Sequence, residues 1–397
     1  MRKSELVDKV HEFAAKELMG KERDFDTPSD MPSALYTAFA DNGLANWWLP
    51  ESIGGSGISL EDSVDIVSEL AYADAGAAFA LYISIIGTTA VWLFGSESLK
   101  RRWLSPMTEN GSFCATLGSE RAAGSELSSI TTSARSDGAE VIINGSKFFS
   151  TNADFADFLV VIARCEDDLD FTAVVVPRNT PGVQVVKRWN TIGLRAAGTY
   201  QVSFENCRVQ AGNRLAGNGL TILEVALNPS RVLIASTALG ICRRIRDVCM
   251  EYAKGKPLAE RTLLAHPVFG NRMGQIESLL SVMENQCKAA ARAYDAMMSR
   301  DDAAAVFLHE GALKSALVSK MFCGQAGWQV ASMASELFGG LGYTDEILIG
   351  KLLRDVRFAA IVEGGDDVLR EMLYRRHVIP SFLRRSGDRL RIRDILE

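Results

Sequence analysis

Between residues 113 and 218 the chain carries short β-rich runs at 158–163, 171–176, 183–186 and 200–204. They lie too close together for a helix to cross back between them, because a parallel return needs a dozen or more residues. An antiparallel barrel or sandwich of about 100 residues is the fold such spacing permits. Asn144-Gly145 stands between an apolar run at 141–143 and Phe148-Phe149. That dipeptide favours positive φ, and it predicts a hairpin turn there.

Helical periods flank this region on both sides. Upstream, Leu35, Phe39 and Leu44 form one stripe, with Asp30 and Ser33 as candidate caps, and Val64, Ile66, Val67 and Leu70 form another. Downstream, Val232, Ala235, Leu239, Cys242, Ile245, Cys249 and Tyr252 recur every three or four residues, as on a bundle helix. Further helices are predicted at 267–299, 303–335, 345–358 and 366–377. The fold class is therefore α+β and multidomain. It comprises an N-terminal α-helical domain (1–112), a middle β domain (113–218) and a C-terminal α-helical four-helix bundle (219–397).

Several function classes drop out. Lys and Arg number 43 against 49 Asp and Glu, a net charge of −6, which disfavours a nucleic-acid partner. The Arg-rich end (Arg375, Arg376, Arg384, Arg385, Arg389, Arg391, Arg393) is partly offset by Asp388, Asp394 and Glu397, and reads as a solvated end or subunit contact. Seven cysteines form no CxxC pair, and four histidines lie far apart, so no metal-ligand spacing exists. Free thiols suit a reducing compartment, and the charged, amphipathic N-terminus is unlike a signal peptide; the expectation is a cytoplasmic protein. The stretch 75–96 carries no charge over 22 residues, but its Gly, Ser and Thr content favours a buried helix over a membrane span. The turn PESIGGSGISLED (50–62) has neither a GxGxxG nor a phosphate-loop lysine.

The segments GSERAAGSELSSITTSA, NGSKFFSTNADFADFLVVIAR, TIGLRAAGTYQVSFENCRV and ELFGGLGYTDEILIGKLLRDVRFAAIVEGGDDVLREM resemble the acyl-CoA dehydrogenase family of FAD flavoenzymes. GSERAAGSELSSITTSA (118–134) is similar to the family's TEPxAGSD loop, with Ser119, Glu120, Ser125 and Glu126 at the Thr, Glu, Ser and Asp positions. NGSKFFSTNADFADFLVVIAR (144–164) is similar to NGxKxWITN, with Phe149 at the flavin-packing Trp and Thr151 at the flavin-bonding Thr. TIGLRAAGTYQVSFENCRV (191–209) matches at Arg195 and Thr199, with Ala197 replacing a Ser. ELFGGLGYTDEILIGKLLRDVRFAAIVEGGDDVLREM (336–372) resembles the family's long QxFGGxGY…RD…EGT segment. The N-terminal PESIGGSGIS and GSESLKRRWLSPM (95–107) extend the likeness over nearly the whole chain.

The resemblance implies FAD contacts at Ser119, Phe149, Thr151, Gly339, Gly340, Gly365 and Lys256. It implies substrate contacts at Ser125, Arg195, Arg231 and Gly364, and no metal. It also implies a reaction in which an acyl thioester loses its α-proton to a carboxylate and its β-hydrogen as hydride to flavin N5. Glu363, behind apolar Ile361-Val362 and before Gly364-Gly365, occupies the base position of the main branch. A second branch carries its base just before an Arg on the long helix, where this chain has Ser230 before Arg231. Three departures stand out. EGGDD replaces EGT, so that Asp366 and Asp367 are either helix caps or like charges raising the Glu363 pKa. Glu336 replaces a Gln. KGKPLAERTLL (254–264) replaces RxxFG, leaving Lys256 or Arg261 as the phosphate cation.

The resemblance implies a homodimer or homotetramer, with an electron-transfer flavoprotein or oxygen as acceptor. Two other readings compete with an acyl-CoA dehydrogenase. RAAG and SERxAGS resemble the branch that oxidises hydroxyacyl or acyl groups on acyl carrier protein in polyketide-type metabolism. The weakened FAD motifs also fit a catalytically idle flavin or acyl-CoA binding protein.

Overall fold

A computed structural model describes residues 3–27, 33–167 and 170–379. The candidate cap Asp30 and the arginines beyond 380 lie outside these residues. Eight helices matter for the site: α1 (Leu60–Ala73), α2 (Ala75–Tyr82), α3 (Ile85–Phe94), α4 (Gly219–Gly255), α5 (Pro267–Met298), α6 (Lys314–Leu337), α7 (Leu348–Val356) and α8 (Asp366–Leu373). Ser59 caps α1 by accepting from the Asp62 amide, and Asp74 caps α2 by accepting from Ala77. The uncharged 75–96 stretch is thus two helices, broken after Tyr82 and buried from Ala75 to Val91, as its apolar faces on all sides require.

The long helix α4 is the spine of the protein, packing against α1, α3, α5 and α6 and against the sheet. Its stripe from Val232 to Cys249 is buried. The helical period at 303–335 is interrupted. One helix ends at Glu310, Gly311 takes φ +66, and α6 starts at Lys314. The break is held from α4. Glu224 accepts from the Ala312 amide at 2.6 Å, and Asn228 bridges the Gly311 carbonyl and the Leu313 amide.

The β domain is one seven-stranded sheet of β1 (Cys114–Leu117), β2 (Ser133–Asp137), β3 (Glu140–Thr151), β4 (Phe158–Cys165), β5 (Phe171–Pro177), β6 (Val183–Arg188) and β7 (Thr199–Gln210). It is not wholly antiparallel: β1 and β2 both run parallel to β4, at its two ends, while β5 pairs with its other edge. The 118–132 loop carries the chain from β1 to β2, and the β2–β3 hairpin returns it, so β4 enters in the direction of β1.

The hairpin expected at Asn144-Gly145 is not there. The turn falls at Gly138 (φ +63), between Asp137 and Glu140, and β3 runs on through Asn144-Gly145 with a register shift. Gly145 bends the strand at φ +144, where a Cβ would come within 2.6 Å of the Thr132 backbone. The positive φ that Asn-Gly favours is used here for a bulge.

Candidate active site

The sheet and the C-terminal helices enclose a cavity of about 780 Å³, lined among others by Ser119, Ser125, Phe149, Thr151, Arg231, Glu363, Gly364 and Gly365. Its size falls within the range of small-molecule and cofactor sites.

The β-domain wall begins with the 118–132 loop. Buried Glu120 collects the Thr131 amide and hydroxyl, the Thr132 amide and the Lys147 ammonium at 2.7–2.9 Å, and Lys147 also donates to the Gly118 carbonyl at 2.8 Å. Burial works against the Glu120 charge, but Lys147 and these donors hold its pKa down at about 2. Both side chains are shut from solvent, so each charge depends on the other. Lys147→Met is expected to lower unfolding free energy by about 3–5 kcal/mol in urea titrations. The loop bearing Ser119 and Ser125 should loosen with it.

Beside the loop, Phe149 is held at φ +54, lines the cavity and is 60% exposed. A bulky residue in the left-handed region is a local strain usually kept for a purpose. Trp189 stacks on that ring at 4.9 Å, and Lys187 sits 3.6 Å over Trp189. Thr151 and Thr199 share a hydroxyl hydrogen bond at the end of the same strands. Motif reading found Phe149 and Thr151, whereas Trp189 carries no motif signal.

On the helical side, Glu363 follows the 3₁₀ turn Arg357–Ala360 and has φ +54, ahead of Gly364 at φ +100. Two buried cations fasten this strained turn. Arg231 donates from Nε and Nη2 to the Glu363 carbonyl at 3.2 and 3.0 Å, and Lys320 donates to the Gly364 carbonyl. The Glu363 Oε1 accepts a hydrogen bond from the Ser230 hydroxyl, while Oε2 is shielded from solvent with no hydrogen-bond partner. Burial pushes the Glu363 pKa up to about 7, against the opposing pull of Ser230, Arg231 and Lys320. The two aspartates do not cause that shift. Asp366 lies near Lys320 and Arg370, and Asp367 pairs with Arg370 at 2.7 Å. Both stand in the first turn of α8, where the helix dipole favours them.

Not every residue implied by the resemblance comes to this cavity. Arg195 does not line it; its guanidinium bonds the Thr191 and Asp26 carbonyls and Asn190, stapling the 190–198 turn. Lys256, Gly339 and Gly340 form a separate exposed place. Lys256 lies 5.9 Å from the Tyr252 ring, Tyr252 stacks on Phe338 at 4.2 Å, and the two glycines follow. Glu336 pairs with Arg272 at 2.9 Å.

The residues present suit a flavin. The wall offers an aromatic shelf for a flat ring. Thr116 Oγ1 and Trp189 Nε1, both of cavity-lining residues on the β-domain side, are buried with no hydrogen-bond partner, as are Arg231 Nη1 and Glu363 Oε2 opposite. Buried polar atoms without a partner on cavity-lining residues suit a polar ligand there.

Comparison with known proteins agrees. The acyl-CoA dehydrogenase N-terminal, middle and C-terminal domains match residues 2–111, 115–207 and 217–378. An acyl-CoA dehydrogenase of Bacillus subtilis is 28% identical over 371 residues, covering 91% of this chain and 94% of the relative. The structure of butyryl-CoA dehydrogenase from Megasphaera elsdenii superposes with a TM-score of 0.82 at 24% identity, over 93% of this chain and 96% of the other. That of a glutaryl-CoA dehydrogenase from Mycobacterium smegmatis, in complex with FADH2, superposes with a TM-score of 0.83 at 22% identity, over 93% and 92%. The chain belongs to the acyl-CoA dehydrogenase family of FAD-dependent flavoprotein oxidoreductases.

Proposed function

We propose that the protein dehydrogenates an acyl-CoA thioester to its α,β-unsaturated product, with Glu363 as the base that takes the α-proton. The observation that carries this is the Glu363 carboxyl itself, buried on a cavity-lining residue, with Oε1 tied to Ser230 and Oε2 without a hydrogen-bond partner. FAD, when bound, supplies the acceptor for the β-hydride. A carboxylate in water is too weak a base for an α-proton; desolvation raises its basicity. Arg231 and Lys320 hold the backbone turn so that the carboxyl keeps its place, which shortens the search for a reactive geometry. Ser119, Phe149, Thr151 and Gly365 line the cavity and are the FAD contacts of this reading; Ser125, Arg231 and Gly364 face the thioester.

A pH profile tests the base. Glu363 works only when ionised, so kcat/KM should rise with pH and reach half its plateau near 7. Ser230→Ala removes a hydrogen bond that favours the carboxylate, so the half-point should move up by about one unit. A pH-independent rate, or an unmoved limb in Ser230→Ala, would refute the assignment.

The same assay run with coenzyme A and acyl-carrier-protein thioesters of one acyl group identifies the carrier. Run with an electron-transfer flavoprotein or with oxygen, it identifies the acceptor. Lys256, Gly339 and Gly340 reach FAD in this reading only from a second copy of the chain, in a homodimer or homotetramer. Exposed Leu341 and Tyr343 on the turn of the two glycines, and exposed Val268 at the start of α5, support that arrangement, and light scattering of the FAD-loaded protein tests it.

A further inference from the structure

Helix α4 lines the cavity with Leu220, Leu223, Glu224, Leu227 and Arg231, about 10 Å from Glu224 to Arg231 at helical rise, and Thr237 lies about 9 Å further along the helix, beyond the lining. At the Glu224 end the wall is charged: Glu224 pairs with Arg376, and Arg375 pairs with Glu371. On the side towards Thr237 the wall carries the aromatic pair Phe79 and Phe358. Thr237 donates to the Tyr82 hydroxyl at 3.1 Å, and the Tyr82 ring packs edge-on against Phe79 at 5.6 Å. Phe79 in turn meets Phe358, which lies on the turn leading to Glu363, at 5.5 Å and 69°. Ile83 and Ile86, one and two turns on from Phe79, also line the cavity, and Phe79, Phe358, Ile83 and Ile86 are all buried.

A hydrocarbon laid along the charged end would bury ion pairs and return nothing to them. The amide-bearing arm of a thioester has groups to hydrogen-bond there, which leaves the acyl group for the apolar end. We infer that this protein selects short acyl groups, and that Phe79, closed against Phe358, is the residue that limits chain length. The inference rests on the acyl-thioester reading above. Each methylene beyond the ring pair has to displace packed side chains, and one methylene too many in such a pocket costs about 10–200-fold in kcat/KM.

The test uses the FAD-loaded protein with butyryl-, hexanoyl-, octanoyl- and decanoyl-CoA, and calorimetric affinities for the unreactive thioether analogues of the same chain lengths. Wild type should lose at least about tenfold in kcat/KM between butyryl and octanoyl substrates. Phe79→Ala should cut that ratio by about tenfold or more through a gain on octanoyl-CoA, with Phe79→Leu between the two. Ile83→Ala, a smaller change in the same wall, serves should Phe79→Ala unfold. Equal rates on butyryl- and octanoyl-CoA in wild type, or an unchanged ratio in every folded variant, would overturn the inference. If no thioester reduces the flavin but the thioether affinities still fall with chain length, the dehydrogenase reading fails while the short-chain selection stands. Flat affinities would sink the selection as well.

Discussion

Glu363→Gln is expected to slow flavin reduction by an acyl thioester by about 10³-fold or more, within the range that a positioned base contributes. The substitution keeps the shape and leaves an oxygen to accept from the Ser230 hydroxyl. It also leaves the Glu363 backbone carbonyl to accept from Arg231. FAD retention and thioester affinity should therefore stay within a few-fold of wild type, and stopped-flow absorbance separates the two effects. A loss confined to the chemical step is the signature of a group acting only in the transition state. A loss shared equally with binding would make Glu363 a structural residue.

Lys351→Met should have the largest effect on stability. Lys351 on α7 is buried between Asp74, the cap of α2, and Asp355, at 2.8 and 2.6 Å. Asp355 also accepts from the Leu194 amide at 2.7 Å, so one buried triad ties the N-terminal helices, the β-domain turn and the C-terminal helices together. Removing the cation leaves two buried carboxylates facing one another, at a cost of about 3–5 kcal/mol. Burial already raises the Asp355 pKa, and Lys351 opposes that rise. Without Lys351 the folded state holds a proton that the unfolded state releases, so the variant should lose further stability as pH climbs. Urea midpoints at about pH 5 and about pH 8, set against wild type, read both the size and the sign.

What was legible in the sequence and what was not divide along physical lines. Strand spacing and helical period are local, and they placed the β domain between two helical regions. Asn144-Gly145 was misread because its dipeptide reports a positive φ, and both a hairpin and a bulge use one. The true turn residue was the unremarked Gly138. The break at Gly311 depends on Glu224 and Asn228, more than eighty residues away, and periodicity cannot register such partners. Glu363 stands out in one contiguous motif, and the fold places it, buried, in the cavity wall. The residues that tune it do not stand out. Ser230 lies 133 positions away, and Lys320 sits on a helix face that reads as ordinary core. Even the cause of its raised pKa had to come from the fold, since burial, and not the adjacent aspartates, produces it.

The measurement that bears most directly on the account is an anaerobic titration of the FAD-loaded protein with acyl-CoA thioesters, following the flavin absorbance. The account predicts that a thioester bleaches the flavin in wild type, that the unsaturated product appears in equal amount, and that Glu363→Gln binds the same thioester without bleaching. Retained FAD that no thioester bleaches would contradict it, as would bleaching that persists at the wild-type rate in Glu363→Gln.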